Sequence, residues 1–262
     1  MAPRRKLGSR ISDLAAEMAG YAEVARFYLR REGLASTLKR LARFLAVRAA
    51  RPRTIAERRG KTFTVGSATL PYELGRHNAA WLTERSVEIA LAKHVLTGIA
   101  PGDVLEIGNV LAHFGRSGHT VVDKYDAKPN VVNEDILDYR PSRTFDAIVA
   151  VSTLEHVGFD EPETPDPQAP TKALSALRDL LSPTGFLLVT VPFGYNAGLD
   201  ASIAEGRFAC ERQFCLQRIS ADNDWREIDL PHALGARYGA PYADGNVLLV
   251  GLDGPGVSAA RL

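Results

Sequence analysis

Side chains that could bind a ligand or move a proton follow each of four apolar runs in the chain. The runs are "DVLEIG", "HTVVD", "NVVNEDI" and "FDAIVAVST". The residues at or after their ends are Glu106, Gly108, Asn109, Asp123, Asp135, Ile136, Ser152, Glu155 and His156. A carboxylate at the end of a buried strand needs a partner, and glycine lets the backbone come close to a ligand. The alternative is structural, because an aspartate at a strand end is often a turn residue.

The elements that must position these residues alternate between strand and helix. Before the four runs, "RRGKTFTVGSATLPYELGRHN" reads as a linker, and a helix is expected from about Thr83 to Leu96, with Thr83 as its N-cap and Gly98 as its stop. After the four runs, "TKALSALRDLL" has the spacing of a helix, "SPTG" reads as a turn, "GFLLVTVP" reads as a fifth strand, and "FCLQRIS" and "NVLLVGL" read as closing strands. This order predicts an α/β fold with a doubly wound, mainly parallel, Rossmann-like sheet and an antiparallel closing strand. Ligands of such sheets bind beyond the carboxyl ends of the strands, where the residues above would meet.

The stretch from Asp103 to Tyr195 resembles the class I S-adenosylmethionine-dependent methyltransferases. The matching motifs are "VLEIG", "VVDKYD", "NEDILDY", "FDAIVAVSTLEHVG" and "LRDLLSPTGFLLVTVPFG". The resemblance implies S-adenosyl-L-methionine as cofactor, with Gly108 at its methionine part, Asp123 at the ribose and Asp135 at the adenine amino group. The full set of implied cofactor-binding residues is Glu106, Gly108, Asn109, Asp123, Asp135, Ile136 and Ser152.

The loop after the first strand departs from the family pattern. The family usually has G-x-G-x-G, whereas "GNVLAHFG" has one glycine at its start. The segment from Gly108 to Asp123 is also short, which predicts a first helix cut to a turn or two. More closely, "YELGRHNAAWLTERSVEIA" and the C-terminal "LQRIS" segment are similar to a branch of methyltransferases associated with bacterial surface polysaccharide synthesis.

The reaction implied is O-methylation of a saccharide or glycolipid hydroxyl. His156 is the candidate general base because an imidazole titrates near neutral pH, and Glu155 could orient it or take that role. The candidate acceptor-binding residues are Trp81, Arg85, Tyr195 and Asn196, and His77 could close over the same crevice. The acids Asp160, Glu161, Glu163 and Asp166 of the loop "GFDEPETPDP" could hold a divalent metal, but a solvated acidic loop is favoured and no metal is predicted.

Other classes of protein remain open at this point. An NAD-type oxidoreductase would want G-x-G-x-x-G after the first strand, and that loop is absent. A non-catalytic cofactor-binding or scaffold protein of the same fold is supported by the reduced glycine loop. Nucleic acid is not a favoured partner, since the basic segment lacks interleaved aromatic residues.

Charge is distributed unevenly along the 262 residues. The formal net charge is +1, yet the chain up to about Lys61 is basic. Leu34, Leu38, Leu41 and Leu45 fall on one stripe of a predicted amphipathic helix that Pro52 should end. We therefore expect a basic helical N-terminal arm (residues 1–60) and a methyltransferase domain (61–262). The arm could touch an anionic membrane surface or simply pack on its own domain.

The expected location is the cytoplasm, with the protein either free or in peripheral contact with the inner membrane face. The chain has two cysteines, too few for a disulfide scaffold. We expect Cys210 and Cys215 to be plain thiols because they lack a second pair of metal ligands. We also expect no signal peptide and no membrane span, since Asp13 and Glu17 interrupt the first apolar stretch.

Overall fold

The computed structural model describes residues 51–160 and 165–262. The chain divides into two compact units, Met1–Glu57 and Arg58–Leu262. Most of the predicted N-terminal arm therefore lies outside the described residues, as does the leucine stripe. Residues 51–58 are helical, so the prediction that Pro52 ends the helical pattern is wrong. Proline removes one backbone donor, but its fixed φ is compatible with a helix.

The second unit contains a hairpin and a seven-stranded sheet. The hairpin is β1 (Thr62–Val65) and β2 (Ala68–Pro71). The sheet strands are β3 (Val104–Ile107), β4 (Thr120–Val122), β5 (Phe145–Val151), β6 (Leu181–Pro192), β7 (Arg212–Arg218), β8 (Trp225–Ile228) and β9 (Val247–Asp253). Their order across the sheet is β4-β3-β5-β6-β9-β7-β8. Strands β4, β3, β5 and β6 pair in parallel, and β9 is antiparallel to both β6 and β7.

This topology confirms the predicted α/β class and adds one strand to it. A single antiparallel closing strand was expected, whereas both β8 and β9 run against the others. Strand β8 had no place in the prediction, since "WREI" carries two charged residues in four. A strand at the edge of a sheet tolerates such charges because one of its sides meets no further strand.

Both faces of the sheet are covered, as the apolar runs predict. Ile148 and Val149 are consecutive in β5 and fully buried, yet they belong to two different hydrophobic clusters. Successive side chains of a strand point to opposite faces, so each cluster fills one face. Helix α1 (Arg85–Val95) contributes to the first cluster. Helices α2 (Ala169–Asp179) and α3 (Ala197–Ala204) contribute to the second.

Three predicted elements differ from those observed. The expected strand in "NVVNEDI" is only an isolated bridge between Val122 and Val132. The predicted turn "SPTG" lies inside β6, where pairing with β5 jumps from Leu181 to Phe186. The segment taken as a linker holds the β1–β2 hairpin, whose two-residue turn Gly66-Ser67 between alternating strands is a recognisable hairpin signal.

The helices that flank the site follow the sequence in part. The shortened helix after β3 is confirmed as a 3₁₀ turn, Leu111–Phe114. Thr83, the predicted N-cap of α1, does not cap it, since Glu84 holds that position. The Thr83 hydroxyl instead donates to the backbone carbonyl of Asn78, at 3.0 Å. No helix among the described residues is long and apolar enough to cross a membrane.

Candidate cofactor and acceptor site

A cavity of about 350 Å³ lies at the carboxyl ends of β3, β4 and β5. Its volume is in the range of small-molecule sites, about 300–1,000 Å³. Seven of the predicted site residues line it, namely Gly108, Asn109, Asp123, Asp135, Ile136, Ser152 and His156. The remaining predicted residues, Glu106, Glu155, Trp81, Arg85, Tyr195 and Asn196, do not line it. We call it the strand-end cavity.

The loop after β3 brings backbone to the edge of this cavity. Gly108 has a φ of +82°, which side-chain-bearing residues rarely adopt. A Cβ at Gly108 would lie 2.6 Å from Oγ1 of Thr153. The hydroxyl of Thr153 donates to the carbonyls of Ile107 and Val151, both at 3.1 Å. The single glycine retained in this loop is therefore required by the backbone and by the neighbouring strand end.

We expect Gly108→Ala to be about 1 kcal/mol more destabilising than Gly98→Ala, because it adds a steric clash to the same backbone strain. Gly98 has a φ of +85° but nothing within 4 Å of an added Cβ, so it is a matched control. Urea unfolding of the two variants measures the difference. Equal losses of stability would contradict the tight packing of Gly108 against Thr153.

Glu106 supports the same loop through hydrogen bonds to the loop backbone. Its side chain is fully buried, and its Oε1 accepts hydrogen bonds from the backbone N–H groups of Val110, at 2.9 Å, and Leu111, at 2.7 Å. Its Oε2 lies 2.6 Å from Nε2 of His119. These partners satisfy the buried carboxylate, as its position requires. Glu106 thus supports the loop and is not itself part of the cavity wall.

Asp123 follows β4 and faces the cavity. Its Oδ1 accepts from the backbone N–H groups of Tyr125, at 2.8 Å, and Asp126, at 3.0 Å. Its Oδ2 accepts from the backbone N–H of Asn109, at 3.1 Å. A carboxylate has about four acceptor positions, so one position on Oδ2 remains for a ligand hydroxyl. The turn role and the binding role proposed from sequence are therefore compatible.

Asp135 and Ile136 also line the cavity. Nζ of Lys124 lies 2.9 Å from Oδ2 of Asp135, and the backbone N–H of Leu137 donates to Oδ1 at 2.9 Å. Lys124 also lines the cavity, although the sequence reasoning passed over it. A ligand amino group would share Oδ2 of Asp135 with this lysine. The side chain of Ile136 is 5% exposed and adds apolar surface beside Ile107 and Val122.

His156 ends a 3₁₀ turn, Leu154–His156, that follows β5. Its Nδ1 lies 2.6 Å from Oδ2 of Asp160, one helical turn further along the chain. An imidazole whose Nδ1–H donates to a carboxylate presents Nε2 as a proton acceptor. Asp160 was considered from sequence only as a metal ligand. The spacing of four residues in "HVGFD" is the signal that could have indicated this pair.

Glu155 does not orient His156 as predicted. Its Oε1 is 3.7 Å from Nε2 of His156, which is too long for a hydrogen bond. The side chain is 1% exposed, and Oε2 has no hydrogen-bond partner among the described residues. Burial, together with nearby Glu88, raises the pKa of the Glu155 carboxyl well above its usual range. Asp160, which lies 2.6 Å from Nδ1 of His156, takes the orienting position instead.

Three of the predicted acceptor residues have structural roles instead. Trp81 is buried, at 4% exposure. Arg85 donates from Nη1 to Glu88, at 2.9 Å, and to the carbonyl of Val151, at 3.1 Å. Asn196 caps α3 by accepting from the N–H of Leu199, at 3.1 Å. Trp81 is buried and Arg85 and Asn196 are hydrogen-bonded within the fold, and none of the three lines the strand-end cavity.

Tyr195 remains beside the site, in a group of aromatic side chains. Its ring centroid is 4.7 Å from that of His156, 5.7 Å from that of Phe159 and 5.2 Å from that of Tyr238. Its hydroxyl donates to Oδ1 of Asp160, at 3.3 Å. Burial, with Asp160 close by, raises the pKa of Tyr195 to about 12, so the phenol stays a donor at neutral pH. We call Phe159, Tyr195 and Tyr238 the aromatic wall.

His77 lines the strand-end cavity from the segment before α1. Its ring stacks on that of His113, with centroids 3.7 Å apart. Burial and the neighbouring His113 lower the pKa of His77 to about 4, so it is neutral at pH 7. Of the three residues expected from sequence to close over the crevice (His77, Trp81 and Arg85), only His77 does so.

Among the described residues of the acidic loop and the two cysteines, only Asp160 lines this cavity. Asp166 pairs with Lys172 at 2.7 Å, while Glu161 and Glu163 lie outside the described residues. Within residues 51–160 and 165–262, no group of three or more potential metal ligands occurs. Cys210 and Cys215 are free thiols, and burial raises the pKa of each to about 12.

Neither a protein-family model nor a curated protein matches the chain. Solved structures do match it. The N-methyltransferase NodS from Bradyrhizobium japonicum WM9, in complex with S-adenosyl-L-homocysteine, is 17% identical over 69% of this chain and 93% of that one, with a TM-score of 0.41. An S-adenosylmethionine-dependent methyltransferase from Clostridium acetobutylicum is 12% identical over 64% and 90%, with a TM-score of 0.34.

A third similar structure is a possible histamine N-methyltransferase from Thermotoga maritima. It is 13% identical over 63% of this chain and 88% of that one, with a TM-score of 0.36. Identity and TM-score are low in all three cases.

Proposed function

We propose that the chain is an S-adenosylmethionine-dependent methyltransferase that methylates a hydroxyl of a saccharide or glycolipid, with His156 as the general base. The observation that carries the proposal is that Asp123, Asp135 and His156, which follow different segments of the sheet, line one cavity. Two carboxylates and an imidazole in one cavity suit a ligand with a polar nucleoside part and a reactive group.

The residues of the strand-end cavity fit the cofactor. Asp123 has a free acceptor position for a ribose hydroxyl, and Asp135 can accept from the adenine amino group beside Lys124. Ile107, Val122 and Ile136 supply apolar surface for a flat ring. Gly108 and Asn109 border the methionine end. When bound, S-adenosylmethionine supplies a methyl group that is already activated by its positively charged sulfur.

The protein's share of the reaction is then to position the acceptor and move one proton. His156, whose Nδ1 is held by Asp160, takes the proton of the acceptor hydroxyl on Nε2. The carboxylate of Asp160 stabilises the imidazolium that results. The aromatic wall next to His156 offers ring faces with a polar rim, which suits the apolar face of a sugar. Holding the two reactants in the correct geometry in this way supplies a large part of the rate enhancement.

Methyl transfer from labelled S-adenosylmethionine to a panel of saccharides, glycolipids and amines tests the proposal. We expect labelled product with hydroxyl acceptors, and mass spectrometry should locate the methyl group on oxygen. Transfer to amines alone would overturn the assignment of the acceptor atom. Cofactor binding with no transfer to any acceptor would favour the scaffold alternative.

An NAD-type oxidoreductase is a weaker candidate. A dinucleotide site needs an α-helix N-terminus after the first strand to hold the pyrophosphate. Here that position is taken by the four-residue 3₁₀ turn Leu111–Phe114. The carboxylate of Glu106 already accepts from the backbone N–H of Leu111, at the start of this turn. Tight binding of NAD in place of S-adenosylmethionine would reverse this ranking.

We also propose, from charge alone, that the basic arm brings the enzyme to an anionic membrane face in the cytoplasm.

A further inference from the structure

A second cavity, of about 570 Å³, shares the loop of residues 234–242 with the aromatic wall. We call it the basic cavity. Four of its lining residues are basic, namely Arg218, Arg226, His232 and Arg237, and no aspartate or glutamate is among the residues that line it. A concave surface lined by one sign of charge concentrates ions of the opposite sign. The cavity is therefore a candidate anion site.

Two of the arginines have no carboxylate partner in the described part of the chain. Arg237 is exposed and makes no ion pair with any described residue. Among the described residues, the guanidinium of Arg226 donates to the side-chain oxygen of Gln217, at 3.3 Å, and to no carboxylate. His232 is different, since its Nδ1 pairs with Asp229. The positive charge available to a ligand thus comes chiefly from the arginines.

Arg218 supplies a fixed guanidinium at the inner end of the basic cavity. Arg218 is 7% exposed, and its guanidinium lies 4.5 Å from the centre of the Tyr242 ring. Nε donates to the carbonyl of Ser220, at 3.0 Å, and Nη2 to that of Ala221, at 2.9 Å. Nη1 makes no hydrogen bond to any residue that the structure describes. The side chain is thus held in place with one nitrogen left for a ligand.

The acids nearest to Arg218 offset its charge only in part. They are Glu84, which lies at the N-terminus of α1, and Asp244, which lies in the loop before β9. Burial beside Glu88 raises the pKa of Glu84 to about 8, so that carboxyl is mostly neutral at pH 7. A largely buried guanidinium without an ion-pair partner is costly to hold charged, and a bound anion would offset that cost.

We propose that the basic cavity binds a phosphoryl group of the acceptor, which makes the acceptor a glycosyl phosphate or diphosphate. This inference rests on the proposed methyltransferase function. Arg237 and Tyr238 are adjacent in the chain, and the ring of Tyr238 lies 5.2 Å from that of Tyr195, which contacts His156. The phosphoryl group and the reacting sugar would therefore lie on either side of one loop. Arginine is suited to phosphate because its planar donors fit two oxygens at once.

Calorimetric titration of the full chain tests this proposal at low salt, where charge interactions are least screened. The probes are inorganic pyrophosphate, uridine diphosphate and geranyl diphosphate. We expect saturable binding of at least one of them, and at least a tenfold weaker affinity in the double variant Arg226→Gln/Arg237→Gln. Arg140→Gln, which removes an exposed arginine outside both cavities, is the matched control and should bind as the unchanged chain does.

The outcomes separate this proposal from the proposed function. Probe binding does not need the cofactor, so it can succeed even where S-adenosylmethionine fails to bind. Preference for uridine diphosphate identifies a nucleotide carrier, and preference for geranyl diphosphate identifies a lipid carrier. Absence of probe binding would overturn the proposal, and so would an equal loss in Arg140→Gln and in the double variant. A circular dichroism spectrum and a thermal unfolding midpoint equal to those of the unchanged chain verify that the double variant folds.

Discussion

Asp123→Asn is expected to weaken binding of S-adenosylmethionine by about 100-fold. The amide keeps the size of the side chain and one acceptor oxygen for the turn to Tyr125 and Asp126. It loses the charge and the second oxygen, Oδ2, which is the atom open to a ribose hydroxyl. A hydrogen bond to a charged group contributes about 1.5–3 kcal/mol, and 1.4 kcal/mol corresponds to a tenfold change in affinity.

Isothermal titration calorimetry with S-adenosylhomocysteine measures this loss. Asp138→Asn is the control, because Asp138 is an exposed carboxylate that does not line the strand-end cavity. It should change the affinity by less than about threefold, as expected for a screened surface charge. If both variants bound the cofactor product as the unchanged chain does, Asp123 would be a turn residue only.

His156→Gln is expected to lower kcat by about 10²–10⁴ without changing the affinity for S-adenosylhomocysteine. General acid–base catalysis contributes a factor of this size, and glutamine cannot take up the proton. The imidazole lines the cavity, but its Nδ1 is already committed to Asp160, so its main effect falls on the chemical step. Steady-state rates with the best acceptor, together with a binding titration, separate the two effects.

His94→Gln is the matched control for this measurement. His94 lies on α1, away from the strand-end cavity, and its Nε2 contacts the carbonyl of Arg261. It should leave kcat within about twofold, since surface substitutions have small effects. A loss of cofactor binding in His156→Gln, with kcat preserved at saturation, would show that His156 binds the cofactor and is not the base.

The sheet could be predicted because its strands are buried on both faces. In β3, β5 and the buried second half of β6 most residues are apolar, and the strand-end residues Gly108, Asp123 and His156 then follow from the parallel arrangement. Strands on the margin could not be predicted in this way. Val132 makes a single bridge, so the apolar pair "VV" was too short to specify a strand. Local sequence patterns do not show how many residues of a neighbouring segment are available to pair with a strand.

Contacts between loops were beyond the sequence for a different reason. Lys124 reaches Asp135, and His77 stacks on His113, across distances that depend on how two separate loops approach one another. Arginine and tryptophan are residue types that suit an acceptor site, yet the side chains of Arg85 and Trp81 pack into the interior of the fold. The basic cavity is assembled from residues 217–247, and no short motif brings its arginines together.

A crystal structure of the chain with S-adenosylhomocysteine would test the central claim most directly. We predict the ribose hydroxyls within about 3 Å of Oδ2 of Asp123, the adenine between Asp135 and Ile136, and the sulfur on the side of the cavity that His156 lines. Binding of the nucleoside elsewhere on the molecule, or an adenosine turned away from Asp123 and Asp135, would contradict the account.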